Sequence, residues 1–215
     1  MRCLALLVPP SLAAALFFGA GGGVTLRADP AASRLAIHVA RSGLLSGASH
    51  EHRFVPQSWQ AEARFDAADP GAVEVSVEVD AGSLQDQEER LTEASRAAVD
   101  RKARGDEVLD ARRFPGIRFR AAGASELRPD GAGALEGVLR GELVLHGVRR
   151  PLPVRFRARA EGAGLRVTGS ARFAQSDFGI RPYRTALGTI GVDDLVTVEF
   201  DLRLVPLPAP SRPGS

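Results

Sequence analysis

His50-Glu51-His52 is the one pair of side chains here whose spacing could ligate a metal. Residues i and i+2 of a strand share a face, so two imidazoles placed there could reach one cation. The set is short of ligands. Gln57 stands where a carboxylate would extend it, and no second histidine motif surrounds His146. Two histidines at a strand end or in a loop, engaged in ordinary hydrogen bonds, is the plainer reading. No G-x-S-x-G, H-E-x-x-H or phosphate loop is present, and the single cysteine, Cys3, lies near the start of the chain. The expectation is a protein that is not an enzyme and carries no cofactor.

A second group of residues could bind without reacting. Phe65, Phe119, Phe156, Phe173 and Phe200 fall on the apolar sides of alternating segments. In a sandwich they would be plain core. In a closed eight-strand barrel, an interior of that kind can hold one ligand. Arg155-Phe156-Arg157-Ala158-Arg159 resembles a basic patch with an aromatic centre. Its arginines share one strand face, and Glu74, Glu78, Glu142 and Glu199 on other segments offer cross-strand ion pairs. Nucleic acid is therefore not an expected partner.

Strands must position these residues, and the chain supplies a period of two. Val73, Val75, Val77 and Val79 alternate with Glu74, Ser76, Glu78 and Asp80. The same alternation runs through 117–120, 154–159, 165–173 and 196–204. Each such strand has one apolar and one wet face. Three weaker segments, Leu35–Ser42, Ser58–Asp66 and Leu135–His146, bring the count to about eight. Turn residues separate them, as at Pro129-Asp130-Gly131 and Glu161-Gly162-Ala163-Gly164. Alternation alone does not choose between a sandwich and a barrel. The exception is Gln85 to Arg113, which predicts helical pieces at about 87–104 and 106–112, broken by Gly105, with Asp106 as N-cap of the second. The apolar stripe of Leu91, Ala94, Ala98 and Val99 is thin, so this insertion should lie over the domain.

The 215 residues carry 28 basic and 26 acidic side chains. Met1-Arg2 followed by the apolar run Leu4 to Ala20 reads as a secretory signal peptide, interrupted by Pro9-Pro10 and short of a membrane span. Residues 1–28 are assigned to it, 29–205 to one domain and 206–215 to a disordered tail. Ala20-x-Gly22 and Ala28 are the two candidate cleavage positions. Losing Arg2 and Arg27 leaves a balanced chain with no global pull towards nucleic acid or anionic lipid. Losing Cys3 leaves it without a thiol, which suits an oxidising compartment. The expected location is periplasmic or secreted.

Three ordered motifs carry a resemblance: Phe114-Pro115-Gly116-Ile117-Arg118-Phe119, Gly141 through Pro151 (GELVLHGVRRP) and Ser176-Asp177-Phe178-Gly179-Ile180. Together they resemble the YceI-like polyisoprenoid-binding family from about Ser33 to Val205. The resemblance implies an all-β fold with a helical insertion, built as an extended antiparallel eight-stranded lipocalin-like barrel. It also implies a long apolar ligand of polyisoprenoid or fatty-acyl type, held in a tunnel without a cofactor. Contact with a membrane would be transient. Phe65, Phe119, Phe156, Phe173, Phe178 and Phe200 are then the candidate ligand-binding residues. Arg181 or Arg53 could meet an anionic head at the mouth. Forty carbons at ~0.8 kcal/mol per methylene would give roughly 32 kcal/mol, above the practical ceiling of ~18–21 kcal/mol. Lost chain freedom and incomplete burial must offset much of it. Two departures stand out: the long helical segment, and Ser49-His50-Glu51-His52 in the first hairpin. The rival reading is a metal-binding protein using His50 and His52.

Overall fold

The computed structural model describes residues 23–42, 52–66, 69–184 and 191–207. The strands are β1 (Val24–Ala28), β2 (Arg34–Ser42), β3 (His52–Pro56), β4 (Trp59–Asp66), β5 (Asp69–Asp80) and β6 (Leu84–Asp86). After one helix, α1 (Glu93–Arg104), come β7 (Gly116–Pro129), β8 (Ala134–Leu145), β9 (Val148–Glu161), β10 (Gly164–Ala174) and β11 (Gly191–Pro206). All pair antiparallel in the order β1-β4-β5-β7-β8-β9-β10-β11, and β1 pairs again with β11. The sheet therefore closes into an eight-stranded barrel, as the resemblance implied.

Three staves of this barrel are each broken in two. A 3-10 turn at Pro30–Ala32 separates β1 from β2, and another at Ala81–Ser83 separates β5 from β6. Gln57 and Ser58 separate β3 from β4. Beyond these breaks β2, β3 and β6 continue the wall, with β2 sharing β11 with β1. The alternation read from sequence sets the register. Val77, for instance, lies opposite Ala61 on one side and Phe119 on the other, and all three face the interior.

Several boundaries differ from the sequence expectation. Val24–Ala28, placed within the leader, is a barrel strand whose Leu26 is 0% exposed. Burying such a side chain is worth about 1.5–3 kcal/mol. Gln85 and Asp86 are extended, because β3 pairs with them in preference to leaving its edge open. The helix begins only at Glu93, where Thr92 Oγ1 accepts the Ser95 N–H, and Gly105 ends it as expected. The second helical piece is absent. Residues 106–112 form turns, with Asp110 at φ 42°. This turn brings Val108 and Leu109 over the barrel interior, a packing gain that outweighs helix propensity. Of the tail, Pro206 and Leu207 are described, and Leu207 donates to the Thr25 carbonyl.

Helix α1 has no buried residue. Polar bonds hold it against the outer edge of β6. The Asp86 N–H donates to Asp100 Oδ1 at 2.7 Å, and Arg104 Nε donates to the Leu84 carbonyl at 2.8 Å. The helix thus satisfies a strand edge that would otherwise face water unpaired. On the outer face, Arg157 pairs with Asp130 and approaches Glu136, while Arg159 pairs with Glu161. These are not the acids expected from sequence: Glu142 serves Arg149 and Glu78 serves Arg118.

Candidate functional site

The inward side chains do not meet in one core. They form three clusters: one around Leu143, Leu152 and Phe178, one around Leu26, Leu135 and Leu204, and a small one of Leu35, Val79 and Leu84. Between them lies a cavity of about 340 Å³. Val75, Val77, Leu139, Val167 and Val198 line its middle and are only half-buried, because they face the hollow. Among the described residues, Glu62 and Gln175 are the polar members of the lining, and none of its described members is a lysine, arginine or histidine.

Alternating sizes keep the centre open. In one row across β8, β9, β10 and β11 the inward residues are Gly137, Phe156, Gly169 and Phe200. Each phenyl ring lies over a neighbouring glycine. A Cβ on Gly137 would come within 3.0 Å of the Phe156 ring. A Cβ on Gly169 would sit 2.2 Å from the Arg155 carbonyl oxygen and 2.5 Å from Phe200 Cζ, so backbone and ring together demand glycine there. Rings folded flat on the wall leave the axis free.

Phe65, Phe119, Phe156, Phe173 and Phe200 all line the cavity. Phe178 does not. It is 1% exposed and meets Phe173 edge-on, with ring centroids 5.3 Å apart, so it backs the wall. Arg181 is exposed and absent from the lining, and Arg53 is exposed on the outward side of β3. Neither offers the lining a cation. Phe54 and Trp59 also line the cavity, as do Ala103, Val108 and Leu109 from the helical insertion. The apolar pair Val108-Leu109 in a charged stretch was the available signal for the last two. Trp59 alternates with Ala61, Ala63 and Phe65 in the segment already read as a strand, so its inward side was legible there, whereas Phe54 lies in a segment too short to show a period.

His50 lies outside the described residues. His52 is buried, and its Nδ1 lies 2.7 Å from Asp86 Oδ2. Asp86 Oδ1 also accepts the Glu88 N–H. Among the described residues no group of three or more His, Cys, Asp or Glu side chains could hold a metal ion. Shifted titrations occur elsewhere. Asp130 is held below the usual carboxylate range, first by the Ala134 N–H and then by that of Ala132. Asp201 is lowered mainly by its hydrogen bonds from Arg166, whose own value is raised.

Solved structures share this geometry. BcnA of Burkholderia cenocepacia superposes with a TM-score of 0.61 at 18% identity, over 81% of this chain and 98% of that one. A polyisoprenoid binding domain from Saccharophagus degradans superposes at 0.59 and 14% identity, over 86% and 99%. Both likenesses speak to the fold. In sequence, UPF0312 proteins of Shewanella oneidensis and Shewanella sp. W3-18-1 are 33% and 32% identical over 123 residues, 54% of this chain. The chain spans 58% of the length of each of these relatives. The YceI-like domain is matched over residues 26–204, from the first barrel strand to the last. A closed barrel, a hollow centre and that match together make this chain a member of the YceI-like family.

Proposed function

We propose that the protein is a non-enzymatic carrier, periplasmic or secreted, that takes a long apolar chain of polyisoprenoid or fatty-acyl type into its barrel. The observation that carries this reading is the continuous apolar lining of the cavity. Its volume of about 340 Å³ lies within the ~300–1,000 Å³ typical of small-molecule sites, at the small end. Transfer of methylenes out of water supplies the affinity. The polyisoprenoid-binding description of the Saccharophagus degradans domain agrees with such a ligand. Delivery to or from a membrane would be transient. The apolar run from Leu4 to Ala20 supports export. Cleavage near Ala20-x-Gly22 would leave β1 in the barrel, whereas cleavage at Ala28 would remove it.

The test is solvent extraction of protein purified from its native compartment, followed by mass spectrometry. A stoichiometric long-chain lipid is expected. A protein that comes out empty and also fails to bind fluorescent fatty probes would overturn the proposal.

A further inference from the structure

The two ends of the hollow are closed in different ways. At the β1 end, Leu26, Phe65, Leu135, Leu165 and Leu204 are all buried, and each sits on a strand paired on both sides. Beyond the strand breaks the wall is incomplete. Among the described residues β6 pairs with β3 on one side and with no strand on the other, and β7 begins only at Gly116. The insertion fills that gap. None of its residues from 87 to 115 is buried, yet Ala103, Val108 and Leu109 line the cavity. Leu109 packs against the cluster of Leu143 and Phe178 and against that of Leu35, Val79 and Leu84, so it plugs the space between them.

The insertion is also built as a unit. After α1 its main chain bonds back on itself: Leu109 donates to the Ala103 carbonyl, Asp110 to Gly105, Ala111 to Arg104 and Phe114 to Asp110. Among the described residues its main-chain bonds to the barrel come at its two ends. Gln87 donates to the Arg53 carbonyl, and Pro115 accepts from the Ala81 N–H. Phe114, edge-on to His146 with ring centroids 4.6 Å apart, pins the second end. Between these ends the polar ties are the Asp100 and Arg104 bonds to the β6 edge and the Lys102 contact with the exposed Tyr183 ring. Moving 93–113 outward therefore breaks a few partly exposed bonds and one apolar contact. Parting any two barrel strands would break a ladder of main-chain bonds.

We infer that the insertion is a hinged cover over an entrance in the side of the barrel, between β6 and β7. An apolar chain enters and leaves there when 93–113 swings out on its two pinned ends. The inference rests on the carrier reading and adds the route of exchange.

The experiment follows cis-parinaric acid, a fluorescent fatty acid, entering and leaving the full chain by stopped flow. Asp100→Ala/Arg104→Ala should raise the association and dissociation rates together by about tenfold, leaving the dissociation constant within about twofold. General loosening of the fold would instead speed dissociation alone and weaken binding. The opposite change ties the cover down. In a Cys3→Ser background, Gln85→Cys/Asp100→Cys joined by a short thiol-bridging reagent should exchange the probe about tenfold more slowly than the same protein unbridged, at nearly constant affinity. Rates unchanged in either protein, or faster dissociation without faster association, would overturn the entrance and leave the carrier intact. An unaltered protein that binds no probe would overturn the carrier reading itself.

Discussion

Asp130 occupies the tip of the β7–β8 hairpin and organises it alone. Its Oδ1 accepts the N–H groups of Ala132 at 2.8 Å and Ala134 at 2.9 Å, while Oδ2 takes Arg157 Nε at 2.8 Å. Asp201 is held by Arg166, whose Nη2 reaches Oδ2 at 2.6 Å. Both carboxylates are lowered from 3.8, so each contributes stability that is present above the unfolded value and lost as pH falls through the folded one. Asp130→Asn should therefore lower the melting temperature at pH 7, and the difference from the parent should shrink as pH falls below about 4. Thermal melts across that range would check it. A gap that does not shrink at all as pH falls would show that the side chain acts through shape rather than charge. The pairing of Asp130 with Arg157 was not legible in the sequence, because it joins a turn to a strand two elements away. The turn itself was legible from Pro129-Asp130-Gly131.

Helix α1 illustrates a surface element held largely by polar bonds, with no residue fully buried. Asp100 and Arg104 complete the β6 edge, and Lys102 adds a cation–π contact, its Nζ 4.8 Å from the centre of the Tyr183 ring. Removing both edge contacts in Asp100→Ala/Arg104→Ala should cost about 1 kcal/mol per partly exposed bond. Amide exchange in α1 and β6 should then quicken by tenfold or more, while the protection of β8, β9 and β10 stays unchanged. Hydrogen exchange read by mass spectrometry would decide this, and equal loss across the barrel would refute the local account. The long strands were legible because each repeats its period several times over. The three-residue β6 and five-residue β3 were not, since neither shows enough of a period to oppose local propensity. Leu84–Asp86 is a strand only because β3 lies beside it.

At the scale of the whole molecule, the same alternation builds a filled sandwich or a hollow barrel. What separates the two outcomes is which residues become cross-strand neighbours. The row of Gly137, Phe156, Gly169 and Phe200 exists only once four strands are in register, so the hollow was not legible while its aromatic lining was. The volume of about 340 Å³ sets a measurable limit. Affinity for a homologous series of alcohols should rise about fourfold per methylene, at ~0.8 kcal/mol each, and level off once the chain outgrows the cavity. Calorimetric titration of the series would locate the break. A rise without a plateau would mean that the chain binds along an outer surface.

Closure also joins the first and the last of the described strands. Leu26 and Ala28 pair with Pro206 and Leu204, so the first strand to be synthesised waits for the last. Without that late arrival the sheet cannot close and two strand edges stay unpaired, the long-range pairing that slows folding in general. A polypeptide that crosses a translocation pore head first would have to be kept soluble in that state until its final strand emerged.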